Sequence, residues 1–354
     1  MGETILESSR EFFNLVIKPI LEKEFPVENR QACFGFFGYG SEVLKQDDAF
    51  SKDHHWGVRV NGLLPEKVFK NRNEEIQEVV RAQLPDTWRG QSLTGKLSDG
   101  WCLSLSSFED YLVQTLGIDH APKTHEEWLG IPEEDIMHIV AGEVWHDHSG
   151  RFTAIRQTLE GYYPEPVRLR RIAHWCRYFS GMGTYALKRA ILRSNELYAT
   201  TAFAKAIRLG IQLAFLLDKK FFPYDKWLLV YFDRLPRLAT PLRPLVNEAV
   251  SLSTGWDRKL ELLDTMADIL DVTMVTDGII RPHPKFSGSA TSGYRITEHA
   301  YAEIMQGLPK QIRTIVPVWD QIYLERWHSG YVSTLDLAAW DEILNLTPVN
   351  EEPK

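Results

Sequence analysis

A short stretch near the N-terminus holds the residues best spaced for chemistry. Gly40-Ser41 closes an aromatic run, Ala32-Cys33-Phe34-Gly35-Phe36-Phe37. In such a bend, backbone N–H groups and the Ser41 hydroxyl can approach a phosphate closely, because glycine carries no Cβ to block it. Asp53 and His55 stand two residues apart, so on an extended strand they point the same way and could hold one cation. Arg59 continues that face, and its planar guanidinium can take a pair of phosphate oxygens or remain an ordinary surface charge. Asp48, Asp47 and Glu42, in the intervening segment, could supply one more oxygen to a cation or form a solvated acidic surface. The same spacing also fits a plain hairpin whose polar residues face water.

The elements needed to position these residues can be read from periodicity. Ser8 to Phe25 has the spacing of an amphipathic first helix, and Ala32 to Phe37 reads as a buried strand ending in a turn. Asp53 to Val60 alternates like a second strand, Asn73 to Leu84 like a helix, and Trp101 to Ser106 like a further strand. From Thr124 the signals become helical: Thr124 to Leu129, Glu133 to Val140, Val167 to Ser194, Leu197 to Lys219 and Trp256 to Val272. The expected fold class is α+β, with a small mixed-sheet domain over residues 1–120 and a mainly α-helical domain over 121–354. A Pro, Ser and Gly-rich stretch near 281–293 is expected to be an exposed loop.

Gly40-Ser41, eleven intervening residues and Asp53 resemble the signature of the nucleotidyltransferase superfamily that includes DNA polymerase beta. The longer string Gly40-Ser41-Glu42-Val43-Leu44-Lys45-Gln46-Asp47-Asp48, continued by Ser51-Lys52-Asp53-His54-His55-Trp56-Gly57, is similar to an uncharacterised bacterial group within it, a domain of unknown function. The similarity runs on through Ala141 to Asp147 and Phe222 to Trp227. It implies a metal-dependent transfer of a nucleoside monophosphate from a nucleoside triphosphate, with ATP as the expected co-substrate, to a small-molecule acceptor, releasing pyrophosphate. It implies Mg²⁺ or Mn²⁺ at Asp53, with His55 and Asp48 beside it. Gly40, Ser41 and Arg59 would bind the nucleotide, and Lys226 resembles the lysine that antibiotic nucleotidyltransferases bring to the triphosphate from their helical domain.

The chain departs from that pattern twice. His55 replaces the usual second carboxylate, and imidazole suits zinc, copper or iron better than magnesium. The strand Trp101 to Ser106 offers Ser104 where a third carboxylate is usual. Two alternatives follow: a catalytically degenerate protein of the same fold that binds a nucleotide or a partner, or a metal-dependent hydrolase using His55. Glu109 and Asp110 are expected to cap a helix, and His146-Asp147-His148 to form a polar turn. Glu143 and His146 could face the substrate. Lys188, Arg189 and Arg193 read as a solvated basic face.

The 354 residues carry 40 Lys and Arg against 48 Asp and Glu, a formal charge of −8, which argues against broad nucleic-acid binding. Cys33, Cys102 and Cys176 cannot all pair and fit a reducing compartment. No segment reaches 18 uninterrupted apolar residues, and Ala199 to Leu217 carries Lys205, Arg208 and Gln212. A cytoplasmic location without a membrane is the expectation. Walker, Rossmann, nucleophile-elbow and HExxH patterns are missing from the sequence.

Overall fold

The computed structural model describes residues 4–46, 48, 57–93, 102–282 and 296–314. It is an α+β protein, built of a small mixed sheet and many helices. Contacts divide the chain into two units: Met1–Pro122 with Gly130–Thr158, and Lys123–Leu129 with Leu159–Val316.

The first unit opens with the helix Ile5–Phe12. It starts earlier than the apolar stripe alone predicts because Thr4 and Glu7 form a capping box, each side chain accepting from the other's main-chain N–H. A π-helical turn, Phe13–Ile17, joins it to Lys18–Glu24, and a short helix Pro26–Gln31 leads into β1 (Cys33–Phe36). β2 (Val60–Leu64) follows the alternating segment rather than falling within it. Residues 51–56 lie outside those described, and 57–59 are not in a strand. The sheet has taken the apolar run Val60-Asn61-Gly62-Leu63-Leu64, since strands flanked on both sides reward continuous burial over alternation.

The helix Glu66–Gln83 then leads to a two-residue hairpin, β3 (Thr87–Trp88) and β4 (Gln91–Ser92), and to β5 (Leu103–Ser107). β6 (Glu143–Asp147) completes the sheet, in the order β5-β2-β1-β6. Among the described residues only β2 and β5 run parallel, and the chain between them includes the crossover helix that parallel strands require. His146 and Asp147, expected in a turn, are thus strand residues paired with β1. One core packs Phe34, Phe36, Val60, Leu64 and Leu103 with Phe12, Phe13 and Ile17 of the N-terminal helices and Ile76 and Val80 of the crossover helix. Each such side chain contributes about 1.5–3 kcal/mol on burial.

The second unit is helical. The expected Val167 to Ser194 helix is Glu165–Tyr178, a π-helical stretch Phe179–Tyr185 and Ala186–Leu192. Glu196–Leu217 begins where Asn195 accepts the Tyr198 N–H, at 3.1 Å, and buries the whole expected stripe Phe203, Ala206, Ile207, Gly210, Ala214 and Leu217. Among the described residues it is the one helix long and apolar enough to cross a membrane, yet 72% of its apolar window is buried, as in a core helix. Asp225–Phe232, Ala239–Val250, Trp256–Thr276, Ile296–Gly307 and Lys310–Arg313 follow. Most of the expected loop near 281–293 lies outside the described residues.

Candidate functional site

β1 ends at Phe36 because the residues after it bond to side chains and to groups outside the sheet rather than to the main chain of a neighbouring strand. The Phe37 N–H donates to Asn61 Oδ1 of β2 at 3.3 Å, and the Gly38 N–H donates to the His138 carbonyl at 3.0 Å. Tyr111 donates its hydroxyl to that same carbonyl, at 3.1 Å. Burial pushes the Tyr111 phenol well above its usual range, so it stays protonated and remains a donor. The Tyr39 ring lies 5.1 Å from the His138 imidazole. These bonds fix the approach to Gly40 from three directions.

Gly40 has φ +145°, a conformation side chains rarely adopt, and it turns the chain into residues 41–45. There the Leu44 N–H reaches the Gly40 carbonyl at 3.4 Å, the Lys45 N–H the Glu42 carbonyl at 3.0 Å and the Gln46 N–H the Ser41 carbonyl at 2.8 Å. Ser41 is buried at the base of the turn.

Arg59, immediately before β2, comes to this turn. Its Nη2 donates to the Tyr39 carbonyl at 3.3 Å, its Nη1 lies 3.3 Å from Glu42 Oε1, and its guanidinium sits over the Phe36 ring at 4.6 Å. Its own N–H is held by Ser9 Oγ at 3.1 Å. Gly40, Ser41 and Arg59, separated by up to 19 positions in sequence, therefore form one cluster.

Asp53 and His55 lie outside the described residues; Asp48 is described and exposed. Among the described residues, no group of three His, Cys, Asp or Glu side chains is placed to hold a metal. Lys226 belongs to the second unit, exposed in the first turn of Asp225–Phe232, with Nζ 5.1 Å from the Trp227 ring. Arg189 and Arg193 are exposed, in keeping with a solvated face.

The neighbouring candidates all have partners within the fold. Glu143 takes Arg10 Nη1 and its near neighbour Trp145 Nε1, both at 3.0 Å, with Lys45 at 3.8 Å. His146 Nε2 lies 2.8 Å from the Asn29 carbonyl. Asp147 accepts the Thr153 N–H at 2.8 Å, within the helix Arg151–Glu160. Glu109 accepts the Glu66 N–H at 3.2 Å and Arg151 Nη1 at 2.9 Å, so it caps the crossover helix, whose own Pro65 offers no cap, rather than the helix it stands in. Its own helix, Phe108–Leu116, is capped by Ser107. On β5, Ser104 is exposed and paired with Asn61, and the strand carries no carboxylate.

Sequence reasoning missed His138, Tyr111 and Arg156. Arg156 donates to the carbonyls of Val140 at 2.7 Å and Ala141 at 3.1 Å, so it fixes the segment that presents His138. All three act through main-chain carbonyls, which leave no side-chain pattern to detect.

The family described as Domain of unknown function (DUF4037) matches residues 128–228. No curated protein and no solved structure matches the chain.

Proposed function

We propose that the chain is a nucleotidyltransferase of the cytoplasm, moving a nucleoside monophosphate from a triphosphate, ATP first among the candidates, to a hydroxyl of a small molecule. The observation that carries this reading is Arg59, brought from the start of β2 to within hydrogen-bonding reach of the turn that contains Gly40 and Ser41. A guanidinium beside a glycine turn and a serine is the composition a polyphosphate needs: paired donors, close approach and positive charge.

In the reaction, the acceptor hydroxyl oxygen bonds to the α-phosphorus and gives up its proton to solvent, the bond from that phosphorus to the β-phosphate bridging oxygen breaks, and pyrophosphate leaves with the electron pair. Gly40 gives the phosphate its approach, Ser41 donates from its hydroxyl, and Arg59 holds phosphate oxygens. Asp53, with His55 and Asp48, would hold Mg²⁺ or Mn²⁺, which supplies charge neutralisation at the phosphates.

The absence of a carboxylate from β5 favours a second reading, in which the fold binds nucleotide without turning it over. Calorimetric titration of ATP, GTP, CTP and UTP with each metal tests both, and no binding by any triphosphate ends both. If one binds, Asp53→Ala separates them: the enzyme loses pyrophosphate release with its acceptor, whereas a pure binder keeps or gains affinity.

A further inference from the structure

The carboxylate of Glu42 lies on the Gly40-Ser41 turn. A Cβ built on Gly40 would fall 2.6 Å from Glu42 Oε1 and 2.9 Å from Oε2, so the carboxylate packs directly against the glycine's α-carbon. From there Oε1 reaches Arg59 Nη1 at 3.3 Å. The Glu42 side chain is 11% exposed and that of Arg59 22%, which makes this a sheltered pair rather than a loose surface contact. An anion of the chain itself thus occupies the ground beside the glycine and engages the guanidinium available to an incoming anion.

We infer that Glu42 is a resident stand-in for phosphate, and that a polyphosphate binds at the turn by displacing this carboxylate from Arg59. The inference rests on the nucleotide-binding reading above and deepens it. The Glu42 carboxylate gives the half-buried guanidinium a negative partner beside the turn when no ligand is bound, alongside the Tyr39 carbonyl and the Phe36 ring. A ligand without phosphate gains nothing from Arg59 and leaves the pair in place. A di- or triphosphate brings several charges and more acceptor oxygens than the carboxylate can offer, and competes successfully. The pair therefore acts as a threshold that selects polyphosphates over weakly charged ligands.

The test is calorimetric titration of magnesium pyrophosphate, ATP and adenosine into the full chain and into Glu42→Gln, Glu42→Ala and Glu74→Gln. Glu74 is an exposed carboxylate of the crossover helix and controls for loss of a negative charge alone. Both Glu42 variants are expected to bind pyrophosphate and ATP about five- to tenfold more tightly, with adenosine unchanged, and Glu74→Gln to stay within about twofold of the parent. Two variants are used so that a folding defect in one, seen by circular dichroism, leaves the other to decide. Unchanged or weaker pyrophosphate binding in a folded Glu42 variant overturns the inference and leaves the nucleotide reading standing, because Glu42 would then be positioning Arg59. Failure of the parent and every variant to bind ATP or pyrophosphate overturns the nucleotide reading and this inference together.

Discussion

Tyr111 donates its hydroxyl to the main-chain carbonyl of His138 at 3.1 Å. The same carbonyl takes the Gly38 N–H, so a part-buried phenol on one helix and the turn after β1 share one acceptor at the end of another helix. Tyr111→Phe removes the phenol's bond without opening space. It is expected to lower stability by about 1 kcal/mol and to weaken ATP binding about two- to fivefold, because the turn loses part of its anchorage. Urea unfolding and titration of the same variant check both effects; unchanged affinity would detach Tyr111 from the site.

Arg156 secures the same segment from the other side by spanning two carbonyls. Arg156→Lys keeps the charge but replaces a planar fork, whose two nitrogens reach different carbonyls, with one ammonium centre on a flexible stem, so the fixed span is lost. The expected cost is about 1–3 kcal/mol in urea unfolding, with Arg156→Met costing at least as much. Equal stability of the lysine variant and the parent would count against the clamp.

Gly142 stands just before β6 with φ +74°, and a Cβ there would overlap the Phe36 carbonyl oxygen. No side-chain rotation relieves a clash with main chain. Gly142→Ala is expected to cost about 3 kcal/mol or more by separating β1 from β6. A thermal melt of that variant matching the parent's would refute the close approach.

Asp271, in the core face of Trp256–Thr276, is 3% exposed, and among the described residues neither carboxyl oxygen has a hydrogen-bond partner. Burial, with Asp268 adding to it, pushes its pKa up to about 8. An unfolded aspartate titrates near ~3.9, so between roughly pH 4 and 8 the folded chain keeps a proton that the unfolded chain releases. Stability therefore falls as pH rises through that window, by at most about 1.4 kcal/mol per pH unit from this group. Asp271→Asn removes the titration, and its stability measured from pH 5 to 8 is expected to fall less steeply than the parent's. Parallel slopes would mean that Asp271 is not the group responsible.

The sequence was legible where burial follows periodicity. The stripe Phe203, Ala206, Ile207, Gly210, Ala214 and Leu217 announced its helix, and the aromatic run announced β1. It was misleading where a strand is covered on both sides: β2 is the apolar Val60–Leu64, while the alternating segment before it drew the expectation away. Asp147 escaped as a strand residue because its polar neighbours are satisfied by distant main-chain groups, such as the Asn29 carbonyl beside His146. At the site, Gly40, Ser41 and Arg59 were readable as types suited to phosphate. Their pairing with Glu42 was not, since an arginine and a glutamate 17 positions apart meet only after β1 and β2 are joined.

The central claim is most directly tested by a crystal structure of the chain with a nonhydrolysable ATP analogue and Mn²⁺. The account expects phosphate oxygens within hydrogen-bond reach of Ser41 and Arg59, with the Asp53 carboxylate facing the same metal-bound phosphates. A triphosphate seated away from the Gly40 turn, or Asp53 ion-paired elsewhere with its carboxylate turned from that bend, would contradict it.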